Sequence, residues 1–69
     1  MRDQIQKLLH AIPFEPFIVD VAEDVAYSIP TPDNVLLGKN VLVIEDDQGY
    51  VDLVGYQHIR RITHKAVHQ

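Results

Sequence analysis

The stretch NVLVIEDDQGYVDLV, residues 40–54, decides the fold of this chain. Residues 41–44 are apolar and mostly β-branched, the centre is acidic and closes on Gly49, and residues 50–54 are again mainly apolar. β-branched runs favour strands, and an Asp-rich turn that ends in glycine supplies the positive φ that many turns require. We therefore predict a hairpin whose strands lie at 40–45 and 50–54.

A second hairpin is predicted upstream of this one. Residues 17–22 alternate between apolar and mixed positions, residues 25–29 alternate again, and an acidic pair at 23–24 lies between them. A period of two indicates strands with one buried face. Pro30 and Pro32 exclude a central strand, so 30–34 is an edge or a loop, and 35–37 is a short strand or a bend.

The N-terminal segment predicts a helix at about 3–11, with Asp3 as its cap and Pro13 as its stop. Phe14 is expected to lie between this helix and the strands. The apolar residues at helical spacing are Ile5, Leu8, Leu9 and Ile12.

The C-terminal segment is ambiguous. Ile59 and Ile62 are three residues apart, which does not suit one face of a regular strand. We favour a turn at 55–58 and a strand at 59–63, but a helix within 56–66 fits nearly as well. The expected fold is mostly β (α+β): a single domain, 1–69, with an N-terminal helix and a small five-stranded antiparallel barrel or bent sheet of the SH3/Sm-like kind.

The size and the charge of the chain limit the classes of function that we expect. The core of a 69-residue chain contributes only about 3–5 kcal/mol, and the absence of cysteine excludes disulfide staples, so we expect association with another copy or another protein. No segment is apolar enough for a signal peptide or a membrane span, which predicts a cytoplasmic protein. Nine of the ten acids lie in 15–52, whereas 53–69 carry only bases.

Several features follow one another along the chain: PFEPF at 13–17, an acidic turn at 23–24, Pro-Asp at 32–33, DQG at 47–49 and an Ile-rich end. In this order they resemble a group of short uncharacterised bacterial proteins, and that resemblance implies no function.

The segment Tyr56-Gln57-His58, which precedes the last predicted strand, resembles the Tyr-Lys-His segment of the bacterial Sm-like (Hfq-like) proteins. That family forms rings of small barrels that bind uridine-rich RNA with this segment. The resemblance implies RNA binding by Tyr56 and His58, while Gln57 replaces the family's basic residue and removes a charge that would meet phosphate.

A binding surface is predicted in the same region, since Arg and Tyr favour interfaces and stack on bases. Arg60 and Arg61 should point to opposite faces unless the segment is bulged or helical. The candidate residues are Tyr50, Tyr56, Gln57, His58, Arg60 and Arg61.

The sequence gives little support for a catalytic site or a metal site. The acids at 45–52 bracket a turn, where Asp serves the backbone, and Ser28 lies in a strand without a glycine elbow. A metal site built from His58, His64 and His68 is a remote alternative. We therefore expect no enzyme activity, no cofactor and no metal, and predict a protein–protein interaction or self-association module, with an RNA-binding ring as the alternative.

Overall fold

The computed structural model describes residues 1–64. Within them the chain forms one helix, α1 (Arg2–Leu9), and six strands. Short 3-10 turns at Pro32–Asn34 and Tyr56–His58 precede the third and the sixth strand. The strands are β1 (Phe17–Val21), β2 (Ala26–Ile29), β3 (Val35–Leu37), β4 (Val41–Glu45), β5 (Val51–Gly55) and β6 (Ile59–His64).

The strands form two separate antiparallel sheets. Sheet A has the order β2-β1-β6, and sheet B has the order β3-β4-β5. Over the described residues neither sheet closes into a barrel, so the prediction of one five-stranded, SH3/Sm-like barrel or bent sheet is wrong. The physical reason lies between β2 and β3, where Pro30 directly follows β2 and Pro32 begins a 3-10 turn, and these prolines prevent one strand from continuing into the other.

The strand count also differs from the prediction. Residues 35–37, which the sequence left as a strand or a bend, form β3 and pair with β4, with Leu37 opposite Leu42. The backbone N–H of Gly38 donates to the carbonyl of Val41 at 2.8 Å and closes a tight hairpin. Sheet B is therefore a three-stranded meander.

The last strand contains a β-bulge. Val21 of β1 lies opposite Ile59 of β6, and Asp20 lies opposite Arg61, so Arg60 is an extra residue on β6. The bulge lets Ile59 and Ile62 both face the core although they are three residues apart. Residues 56–58 are a 3-10 turn and 59–64 a strand, while 65 and 66 lie outside the described residues.

The core lies between the inner faces of the two sheets, and α1 adds two side chains to it. Phe14 is half-buried and packs against this core, with its ring centroid 6.0 Å from that of Phe17. Within residues 1–64 all buried residues are apolar: Ile5, Leu9, Phe17, Val19, Val21, Ile29, Leu42, Ile44, Val54 and Ile59.

The helix is shorter than its sequence pattern suggests. It ends at Leu9, so Ile12, which the pattern places on the buried stripe, is 96% exposed. Met1 rather than Asp3 occupies the N-cap position, and it makes no side-chain capping bond.

Within residues 1–64, no helix has the length and hydrophobicity needed to cross a bilayer.

Candidate functional site

An apolar row crosses the outer face of sheet B. Strand pairing places Leu36 of β3 opposite Val43 of β4, and Val43 opposite Leu53 of β5. Their neighbours along the strands, such as Leu42 and Val54, are buried between the sheets, so the row points away from the core. Leu36 is 67% exposed and Leu53 is 69% exposed.

Two further valines extend this row along the strands. Val41 is half-buried and lies opposite Gly55, and Val51 is 57% exposed and lies opposite Glu45. Among residues 1–64, Glu45 is the one charged side chain that strand pairing places on this face. We use "outer face of sheet B" for this surface, which consists of Leu36, Val41, Val43, Val51 and Leu53 with Glu45 at one end.

The outer face of sheet A differs in character. Asp20, in its central strand, accepts hydrogen bonds from Arg61 Nε and Thr63 Oγ1, each at 3.0 Å. The Arg61 bond, and then the Thr63 bond, lower the pKa of the Asp20 carboxyl below its ordinary value, and the charge of Arg60 adds to this effect. This face therefore carries polar groups that water solvates well, whereas the outer face of sheet B is apolar.

Tyr56, the leading residue of the predicted binding surface, has a structural role. Its phenol Oη donates to the carbonyl of Gly38 at 2.7 Å, and Arg2 Nε donates to the same carbonyl at 3.1 Å. The side chain is half-buried against the core. Tyr56 thus joins the turn before β6 to the hairpin of sheet B and to α1, and its hydroxyl is already engaged.

Tyr50 and Gln57 lie at opposite ends of the outer face of sheet B. Tyr50 directly precedes Val51 and is 68% exposed. The Gln57 amide occupies the space above Gly55, because its Oε1 lies 2.8 Å from the position that a Cβ on Gly55 would take. Gln57 therefore borders the apolar surface, and Tyr50 directly precedes it in the chain.

The remaining predicted residues lie elsewhere. His58 lines a groove of about 340 Å³ between the β1–β2 hairpin and β5. Arg60 and Arg61 line a separate groove of about 410 Å³ beside Asp20 and Asp24. The bulge brings these two arginines to one side of the strand, as the sequence allowed for a bulged segment. The structure therefore does not unite the six predicted residues in one site.

The histidine and carboxylate clusters give no metal site in the described part of the chain, where no three potential ligand residues come together. His58 directly precedes β6, His64 is its last residue, and His68 lies outside the described residues. Asp46 serves the turn: its Oδ1 accepts from the backbone N–H groups of Gln48 and Tyr50, each at 2.9 Å. Gly49 has the expected positive φ, 88°.

Sequence reasoning did not single out the outer face of sheet B. The signal was present in residues 41–44, an uninterrupted apolar run, because a strand that is apolar at every position has two apolar faces. The inner face is covered by sheet A, and no other part of residues 1–64 covers the outer one.

Comparison with known proteins adds no relative. The chain matches no protein-family profile, no curated protein and no solved structure.

Proposed function

We propose that this chain is a non-catalytic interaction module that self-associates through the outer face of sheet B. The observation that carries the proposal is the row Leu36–Val43–Leu53, whose two outer members are about two-thirds exposed on the two strands that flank β4. Contiguous apolar patches on soluble proteins mark interaction sites, whereas single exposed apolar residues need no explanation.

The contrast between the two sheets supports the proposal. Both sheets have three strands and both bury one face. The outer face of sheet A carries the Asp20–Arg61 ion pair, and that of sheet B carries five aliphatic side chains. Water solvates the ion pair on the outer face of sheet A. It does not solvate the aliphatic side chains on the outer face of sheet B, whose exposure therefore requires another explanation.

A second copy is the occupant that this surface fits. The chain has ten buried residues in its described part and no cysteine for a disulfide. A domain of this size gains stability by association. A face of three short strands at about 4.8 Å spacing is roughly 14 Å wide, which suits an identical, equally small sheet.

The test is the concentration dependence of the mass, by sedimentation velocity and light scattering, for the unmodified chain and for Leu53→Lys. Leu53 is 69% exposed, so its burial contributes about 1–2 kcal/mol per copy. Because a dimer contains two copies, we expect the variant to raise the dissociation constant roughly 100-fold.

The matched control is Ser28→Lys. Ser28 is an exposed residue of β2, an edge strand of sheet A, just as Leu53 is an exposed residue of β5, an edge strand of sheet B. The control adds the same charge and should leave the mass unchanged. A monomer at every concentration, or equal effects of the two substitutions, would overturn the proposal.

Salt separates self-association from the alternative, RNA binding. Each copy carries a net charge of −4, so two copies repel, and added salt screens that repulsion. Self-association should therefore strengthen with salt. RNA binding should weaken steeply, because the release of counterions from RNA is less favourable at high salt. Binding to uridine-rich RNA that is lost at high salt, with no self-association, would favour the alternative.

A further inference from the structure

Opposite charges lie at the two ends of β4, the central strand of the outer face of sheet B. Glu45 ends β4 and lies on this face opposite Val51. Lys39 is exposed in the hairpin before β4, two residues ahead of Val41, at the other end of the same strand. Lys39 is the only base between residues 15 and 52.

Two copies can stack these faces with aligned strands in two ways that keep a two-fold axis. If the axis runs along β4, Glu45 of one copy lies over Glu45 of the other. If the axis runs across the strands through Val43, the β4 strands are antiparallel, and Glu45 lies over Val41 of the other copy. The first arrangement brings two carboxylates together beside an apolar surface, where repulsion is weakly screened.

The second arrangement also places a hydrogen-bond donor near the Glu45 carboxylate of the other copy. Val41, over which that carboxylate lies, is opposite Gly55. The Gln57 amide lies above Gly55 and can donate to that carboxylate. Lys39 is two residues before Val41, inside the tight turn that the Gly38–Val41 hydrogen bond closes. Two residues span at most about 7 Å, which is within reach of a lysine side chain.

We infer that two copies stack with antiparallel β4 strands, so that Glu45 of each copy meets Lys39 of the other. This inference rests on the proposed self-association and names the residues that set its orientation. The central row is then self-complementary, with Leu36 over Leu36 and Leu53 over Leu53.

The test uses two charge-reversed variants, Lys39→Glu and Glu45→Lys, alone and mixed. Alone, each variant places like charges at both ends of its own dimer, and we expect its self-association to weaken roughly tenfold. In the mixture, both ends pair opposite charges again, because one chain carries two acids and the other two bases. The mixed dimer should therefore regain the affinity of the unmodified chain.

The controls separate this effect from net charge. Lys7→Glu on α1 and Glu15→Lys in the following loop change the charge by the same amounts at exposed positions away from sheet B. Fluorescence transfer between differently labelled chains, titrated over concentration, measures every pair. Each sheet B variant alone should associate about tenfold more weakly than the control with the same charge change, whereas the mixture of the sheet B variants should match the mixture of the controls.

The outcomes are distinguishable. If each sheet B variant alone associates as tightly as its control, or if mixing the two variants restores no affinity, while self-association is still lost in Leu53→Lys, the antiparallel arrangement is overturned and the proposed function stands. If Leu53→Lys has no effect on association, the proposed function fails and the arrangement fails with it.

Discussion

Arg61 Nε lies 3.0 Å from Asp20 Oδ2, and this ion pair joins β6 to the central strand of sheet A immediately beside the bulge. The hydroxyl of Thr63 donates to the same carboxylate oxygen. Both bonds favour the ionised carboxyl and hold the pKa of Asp20 below its ordinary value of 3.8.

The lowered pKa of Asp20 predicts a pH dependence of stability. A carboxyl whose folded pKa is depressed stabilises the fold above its unfolded pKa, and this contribution is lost as the pH falls through the folded pKa. Asp20→Asn should therefore be less stable than the unmodified chain at neutral pH, and the gap should narrow below pH 3.8. Urea unfolding at a series of pH values measures this difference in the free energy of unfolding. A difference that stays constant into strong acid would contradict the lowered pKa of Asp20.

The hydrogen bond from Tyr56 to the Gly38 carbonyl predicts a specific effect on stability. Tyr56→Phe keeps the ring in the core but removes the 2.7 Å bond, while Arg2 still satisfies the carbonyl. We expect the free energy of unfolding to fall by about 0.5–1.5 kcal/mol. Tyr50→Phe, at a position 68% exposed, is the matched control and should change it by less than about 0.5 kcal/mol. If the two variants lose equal free energy of unfolding, the hydrogen bond of Tyr56 does not have the stabilising role assigned to it.

The turn between β1 and β2 is strained in a way that substitution should relieve. Glu23 and Asp24 both have φ of 63°, a region that favours Asn and Gly in two-residue hairpin turns. The double variant Glu23→Asn/Asp24→Gly should raise the free energy of unfolding by about 1 kcal/mol. Asp47→Gly is the control, since Asp47 is not among the positive-φ residues and glycine there adds only unfolded-state entropy. Thermal unfolding compares them, and a less stable double variant would refute the argument.

The bulge at Arg60 predicts an unusual tolerance of deletion. Removing Arg60 leaves Ile59, Arg61 and Ile62 in regular alternation and preserves the pairing with β1. We expect the deletion to cost about 1 kcal/mol or less.

Deletion of Val43 provides the comparison. Val43 also points outward, but β4 pairs without a bulge, so losing one residue turns part of its inward set, such as Leu42, out of the core. That variant should be largely unfolded by circular dichroism. If both deletions reduce stability equally, the bulge is not what allows Ile59 and Ile62 both to face the core.

Local patterns along the chain predicted most of the elements. The expected strands at 17–22, 25–29, 40–45, 50–54 and 59–63 differ from those of the structure by at most one residue at either end. Alternation, turn acids and Gly49 act between near neighbours, so they can be read in sequence order. The helix, predicted at about 3–11, was too long because the sequence shows no stop before Pro13, whereas α1 ends at Leu9.

Strand partners and sheet faces required the tertiary structure. No local pattern states that β1 pairs with β6, that β3 pairs only within sheet B, or that the two sheets remain separate. These choices depend on contacts between residues far apart in the chain, and the same alternation is compatible with a barrel. The spacing of Ile59 and Ile62 signalled an irregularity, but only pairing with β1 identified it as a bulge.

The sequence by itself thus determined which residues form strands and which side chains are apolar, because both follow from backbone preference and local periodicity. Only the tertiary structure decided which apolar residues stay outside. Leu36, Val43 and Leu53 come from three strands, and they form one surface because sheet A covers the opposite face of sheet B. An uncovered apolar face is a property of the packed molecule, since a strand with two apolar faces can bury either one.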